Sequence, residues 1–192
     1  MHSLDLPDNL PVPTDDGQCA HLKVGMKFPV EILKRLPATN NHSVDITSQP
    51  RTVIYFYPRT GKPDQKLPDG WNDIPGARGC TPESCGFRDH HEELQSLGAN
   101  VYGCSTQSTE YQQEVVDRLH LPFDILSDSN LELFNHLHLP YFTLPELNNV
   151  PLIKRLTIII QNDTIDHVFY PIFPPDQHAQ EVINWLKQNP IK

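Results

Sequence analysis

Two cysteines five positions apart, Cys80 and Cys85, are the residues best placed to do chemistry. A thiolate attacks electrophilic sulfur or oxygen, and its reactivity depends on what lowers the thiol's pKa. Cys80 opens a stretch that reads as the start of a helix, with Pro82 and Glu83 suited to a first turn. The free N–H groups and positive dipole end there favour thiolate over thiol. Arg78, two residues upstream, adds positive charge. On an intact helix, positions i and i+5 point about 140° apart and their Cα atoms lie about 8.7 Å from each other. A disulfide needs less than ~7 Å. Cys80 and Cys85 can therefore bond only after the first turn unwinds. Helix termini fray cheaply, and the Gly-rich approach to Cys80 removes one obstacle.

These cysteines need a scaffold, and the hydrophobic pattern supplies one. Thr52–Tyr57 is an apolar run of β-branched and aromatic residues, suited to a central strand covered on both faces. Residues 58–79 form a Pro- and Gly-rich loop, and loops of this length in a compact domain are usually functional or disordered. A helix follows over 81–97, with Phe87, His91, Leu94 and Leu97 at helical spacing and Gly98 at its end. Asn100–Cys104 reads as a strand. Thr109-Glu-Tyr-Gln112 has capping-box form and opens a helix with a buried stripe of Tyr111, Val115 and Leu119. Pro122–Leu126 reads as a strand and 129–138 as a helical piece. Leu156–Ile160 is a second apolar strand, and Ile165–Tyr170 returns as its hairpin partner. A last helix spans 176–188, with Val182, Ile183, Trp185 and Leu186 inward. Nearer the start, Val30–Leu36 and Ser43–Thr47 read as two short strands joined by a turn, an N-terminal β-hairpin extension. The first 20 residues, with Pro7, Pro11 and Pro13, read as an extended arm. The alternation predicts an α/β fold of the thioredoxin class, with a mixed central sheet and helices on both faces. In such folds active groups sit at the carboxyl ends of strands, where Cys80 falls.

Length and composition narrow the function. The 192 residues suit one domain, read as 21–192 behind the arm, with 59–78 as a loop insertion before Cys80. A formal net charge of −9 argues against nucleic acid as a partner. No apolar run approaches ~18 residues, which argues against a membrane span. The opening residues lack the charged and apolar regions of a secretory signal, so a cytoplasmic location with reduced cysteines is expected. His90 and His91 are adjacent on a helix and point apart, so they do not make a metal site with the cysteines. Cys104, at a strand end, reads as a buried structural thiol and Cys19 as an incidental one. Glu83 reads as a helix-dipole residue. Ser105 and Thr106 read as the entry to the next helix.

At this point the residues carry a resemblance. Phe56-Tyr57-Pro58, followed by Gly79-Cys80-Thr81-Pro82-Glu83-Ser84-Cys85-Gly86-Phe87-Arg88-Asp89, resembles a peroxiredoxin of the bacterioferritin-comigratory, or Q-type, subgroup. The likeness extends over roughly residues 22 to 189 and is strongest at 79–89. Gly103-Cys104-Ser105-Thr106 resembles the family's strand end after the active-site helix. Lys154-Arg155-Leu156-Thr157 resembles the segment carrying its second active-site arginine. The resemblance implies that Cys80 is the peroxidatic cysteine, attacking a hydroperoxide to leave a sulfenic acid. It implies that Cys85 is the resolving cysteine, that an intrachain disulfide forms, and that thioredoxin or a similar thiol reductant restores it. It implies that Arg155 keeps Cys80 ionised and bonds the peroxide oxygens, with no metal, haem or flavin. A monomer or a homodimer fits equally. One departure stands out. The family reads Pro-x-x-x-Thr-x-x-Cys, but here Ala77 holds the Thr position and Asp73 the Pro position, with about 15 extra residues between Pro58 and Cys80. Either Thr60 folds back to supply the hydroxyl or the protein works without it. The missing Thr also leaves a second reading, a redox-sensing binding module that uses the same cysteine pair without efficient turnover. A general thiol–disulfide oxidoreductase is disfavoured by the lack of a C-x-x-C.

Overall fold

The computed structural model describes residues 6–191. The first five residues of the expected arm lie outside the described residues. Strand β1 (Arg51–Phe56) is buried along its whole length and runs through the middle of a five-stranded sheet. It pairs in parallel with β2 (Ala99–Ser105), which pairs in parallel with β3 (Ile125–Ser127). On its other side lies antiparallel β6 (Leu156–Gln161), hairpinned to β7 (Thr164–Phe169). A separate two-stranded ribbon joins β4 (Tyr141–Phe142) to β5 (Leu152–Ile153).

The apolar run of β1 is needed because both its faces are covered. Ile54 and Phe56 pack with α1 (Val30–Arg35) and α5 (Glu132–Leu137), through Leu33, Leu133 and Leu137. Val53, Tyr55 and Tyr57 face α2 (Cys80–Asp89), α3 (His91–Ser96), α4 (Thr109–Leu119) and α6 (His178–Gln188). Each fully buried aliphatic or aromatic side chain contributes roughly 1.5–3 kcal/mol. The fold is a thioredoxin-like mixed α/β sheet with helices on both faces.

Several elements differ from the sequence reading. Val30–Leu36 is not a strand: residues 30–35 form α1, with Glu31 in its first turn, Lys34 and Arg35 in its last, and Leu33 buried. Ser43–Thr47 has no strand partner, so the N-terminal β-hairpin is absent from the described residues. Helix 81–97 is two helices meeting at His90, whose φ of −105° and ψ of 12° leave the helical region. Ser108, one residue before the expected cap, accepts from the Tyr111 N–H at 3.3 Å and caps α4. This turns Gln112 inward, where its Nε2 donates to Ser105 Oγ at 3.0 Å and to the Leu126 carbonyl at 2.9 Å. Tyr111 is only half-buried.

The loop between β1 and α2 has a core of its own. Trp71 and Ala77 pack with Leu152 of β5, and Ile74, Phe142 and Leu144 join them. The arm lies against the body through Asp16, which accepts from Lys154 Nζ at 2.9 Å and from the Tyr170 hydroxyl at 2.7 Å.

Candidate active site

The parallel strands β1, β2 and β3 end at the same edge of the sheet, and antiparallel β6 begins there. Phe56 pairs with Cys104 on one side and with Leu156 on the other. Residues just beyond these ends converge: Thr60 after β1, Gln107 after β2, and Arg155 immediately before β6. The loop from β1 then delivers Cys80 at the first position of α2.

Gly79 makes the sharp entry into α2. Its φ is +116°, and a Cβ there would collide with Pro175. Cys80, Glu83, Ser84 and Cys85 are all buried, and the Ser84 hydroxyl shares a 2.9 Å hydrogen bond with the Tyr55 hydroxyl. Phe87 stacks on Tyr55 at 4.6 Å. The first turn of α2 is therefore held by packing and buried polar contacts, which any opening of that turn has to break.

Arg155 organises the site. Its Nη2 donates to Cys80 Sγ at 3.3 Å and lies 3.1 Å from the carbonyl oxygens of both Gly76 and Ala77. The Arg78 carbonyl is 3.4 Å from the same nitrogen. Nη1 donates to Glu83 Oε1 at 2.8 Å. Both side chains of this ion pair are out of contact with solvent, at 1% and 0% exposure. Glu83 does lie in the first turn of α2, as a helix-dipole residue would, and it is also the buried carboxylate that orients the arginine. Its i+3 spacing puts it on the face of Cys80, a signal present in the sequence.

Burial dominates the electrostatics. It pushes the Cys80 thiol up, against the opposing pull of the Arg155 charge and the Arg59 backbone N–H, and the net direction is upward. Burial also raises Glu83, despite Arg155 and His178. Loss of hydration is the leading cause for both groups, and for Cys80 the neighbouring Glu83 charge adds a smaller push in the same direction. The helix dipole alone does not reverse this. Burial raises Cys85 as well. All four cysteines are free thiols. Arg78 does not touch the sulfur in this arrangement: its Nη1 donates to Asn72 Oδ1 at 3.0 Å on the surface.

A cavity of about 30 Å³ opens on Cys80, walled by Arg59, Thr60, Leu67, Trp71 and Pro82. A water needs roughly 10–15 Å³ measured this way, so the space suits about two oxygen-sized groups. Thr60 is 1% exposed and sits in that wall. The loop insertion thus forms the roof of the cavity. Gln107 holds Thr60: its Oε1 accepts from the Thr60 N–H at 3.1 Å and from the hydroxyl at 3.3 Å, and its Nε2 donates to the Thr60 carbonyl at 3.1 Å. No feature of the sequence singled out Gln107, because its partner lies 47 residues away.

The remaining candidates lie elsewhere. Cys104 is buried in the core on the far face of β1, and Cys19 lies at its margin. Burial, followed by the charges of Asp16 and Asp15, pushes the Cys19 thiol up to about 12. His91 packs by Phe123 at 5.8 Å, and His90 lies 3.7 Å from Glu93. No helix among the described residues is long and apolar enough to cross a membrane.

The Redoxin family matches residues 23–183. Peroxiredoxin Bcp of Escherichia coli strain K12 is 29% identical over 157 residues, covering 80% of this chain and 90% of that protein. The chloroplastic Peroxiredoxin Q of Sedum lineare is 28% identical over 138 residues, covering 70% of this chain and 62% of its own length. The crystal structure of Peroxidoxin BcpB from Mycobacterium tuberculosis overlays with a TM-score of 0.67 at 23% identity, covering 88% of this chain and 99% of that one.

Proposed function

Because this chain belongs to the Redoxin family, as a peroxiredoxin of the Bcp/Q subgroup, it is a peroxidase oxidoreductase, and we propose that Cys80 carries its chemistry. The observation that supports this most is the 3.3 Å contact from Arg155 Nη2 to the sulfur of Cys80, a residue that itself lines a peroxide-sized cavity. In this reading the Cys80 thiolate attacks the terminal oxygen of hydrogen peroxide or an organic hydroperoxide. An S–O bond forms and the O–O bond breaks. The leaving oxygen takes a proton and departs as water or alcohol, and Cys80 becomes a sulfenic acid. Arg155 stabilises the thiolate, and Thr60 supplies the hydroxyl that Ala77 lacks.

Cys85 then attacks the sulfenic sulfur, releasing water and forming an intrachain disulfide. Both residues lie on intact α2, so this step requires the first turn to open, against the Glu83–Arg155 and Ser84–Tyr55 contacts. A thioredoxin-type dithiol returns both thiols to the reduced state and is itself oxidised to a disulfide. The chemistry needs no metal, haem or flavin. Residues 21–192 act as one catalytic domain in a reducing compartment, which fits the cytoplasm. The relatives give no support to the alternative of a binding module without turnover.

The test is peroxide consumption coupled to thioredoxin and its reductase. Wild type should lose two free thiols and about 2 Da on oxidation, as disulfide formation requires. Cys80→Ser should abolish turnover, and Cys85→Ser should stop at a trapped sulfenic acid. Turnover by Cys80→Ser would sink the reading.

A further inference from the structure

We propose that Gln107 is a positioning residue for peroxide reduction, fixing the Thr60 hydroxyl as a hydrogen-bond acceptor toward the Cys80 cavity. This rests on the reading of Cys80 as the peroxidatic cysteine. The side-chain amide of Gln107 meets residue 60 as a neighbouring strand would, accepting from its N–H at 3.1 Å and donating to its carbonyl at 3.1 Å. Gln107 is itself fixed at the sheet edge. Its N–H donates to Ser105 Oγ at 3.3 Å, and its carbonyl accepts from the Ser127 hydroxyl at 2.6 Å. Gln107 is only 8% exposed. Turning the amide over would set its NH₂ against the Thr60 N–H and its oxygen against the Thr60 carbonyl, so one orientation is strongly preferred.

That orientation sets the polarity of the hydroxyl. A threonine hydroxyl has one proton and two lone pairs. Its proton is directed at Gln107 Oε1, 3.3 Å away, which leaves lone pairs for the cavity. A bound hydroperoxide offers an O–H donor, and a lone pair on Thr60 Oγ1 can receive it, aiming the terminal oxygen at Cys80 Sγ. The hydroxyl that the loop insertion separates from the Cys80 segment is thus restored to the site by an amide from the loop that follows β2.

The experiment measures single-turnover oxidation of Cys80 by hydrogen peroxide in Gln107→Met, Gln107→Asn, Thr60→Val and the Gln107→Met/Thr60→Val double variant. Alkylation of Cys80 by iodoacetamide, an electrophile with no O–H to place, is measured alongside. Each Gln107 variant and Thr60→Val should slow peroxide oxidation roughly tenfold, the scale of one lost hydrogen bond. The double variant should be no slower than the slower single one, and alkylation should change by less than about threefold. The shortened amide of Gln107→Asn keeps a polar group in place, so it separates lost reach from lost folding. The proposal is overturned by a peroxide rate within twofold of wild type in either Gln107 variant, by additive losses in the double variant, or by an equal fall in alkylation. Turnover by Cys80→Ser would instead remove the underlying reading of Cys80.

Discussion

Replacing Arg155 with Met tests the electrostatics of the site. The substitution removes the Nη2 donor 3.3 Å from Cys80 Sγ and the only cation paired with Glu83 among the described residues, at 2.8 Å. A hydrogen bond to a charged group contributes roughly 1.5–3 kcal/mol. At about 1.4 kcal/mol per tenfold, that is roughly a ten- to hundredfold loss of thiolate at a fixed pH below the midpoint. Burial already pushes Cys80 up and Arg155 opposes it, so removing Arg155 moves the midpoint further up. The assay is the second-order rate of Cys80 oxidation by peroxide across a pH series, read by stopped flow. The variant should be slow at neutral pH and recover as the pH rises. Stability changes too, because burial already raises Glu83 and the lone carboxyl then holds its proton still more firmly. The native state then binds a proton that the unfolded chain has released, so the variant should lose stability relative to wild type as pH rises above the ordinary carboxylate range. Breaking a buried pair costs about 3–5 kcal/mol. The Glu83→Gln/Arg155→Met double variant avoids the stranded carboxylate and keeps the rate measurement interpretable. An unchanged rate and an unchanged midpoint in both variants would refute the reasoning.

Three other perturbations probe the scaffold. Gly79→Ala places a Cβ against Pro175 at a φ of +116°, and should cost about 1–3 kcal/mol in denaturant unfolding; an unchanged midpoint would contradict the close approach. Phe87→Ala empties a fully buried site stacked on Tyr55 and should cost about 3–5 kcal/mol, read by thermal melting. Burial pushes the Asp16 carboxyl up, but hydrogen bonds from Lys154 and Tyr170 outweigh it and hold the group well below the usual carboxylate range. Its contribution is therefore present above the unfolded value and is lost as pH falls below it. Asp16→Asn should flatten the acid limb of the stability profile, and an acid limb of unchanged steepness would count against the contact.

The central sheet was legible because β1 and β6 are buried on both faces and so carry uninterrupted apolar runs. Cys80 and Cys85 were legible because their spacing and the surrounding string are local features. What escaped was non-local or marginal. Residues 30–36 mix β-branched and helix-forming side chains over barely two turns, a length at which the two periods look alike; tertiary packing of Leu33 favours the helix. The cap of α4 slipped by one residue because Ser108 and Thr109 are both good caps, and the inward bonds of Gln112 favour Ser108. The part played by Glu83 was hidden because an acidic residue in a first helical turn usually faces water. Burial of this one depends on Arg155, 72 residues away. Gln107 left no trace in the sequence, since only the convergence of three strand ends brings it to Thr60.

The grip of Arg155 ties the backbone before α2 to the start of β6. The guanidinium holds the sulfur and, through the same nitrogen, the carbonyls of Gly76, Ala77 and Arg78. In the proposed cycle Cys80 leaves to meet Cys85 and the opening turn parts Glu83 from Arg155, but the carbonyls of Gly76 and Ala77 lie upstream of α2 and are free to stay. In this reading the cation keeps its place beside the approach to α2 while the thiolate is away. On that reading, reduction of the disulfide returns the Cys80 thiolate to a charge still held by the backbone that leads into α2.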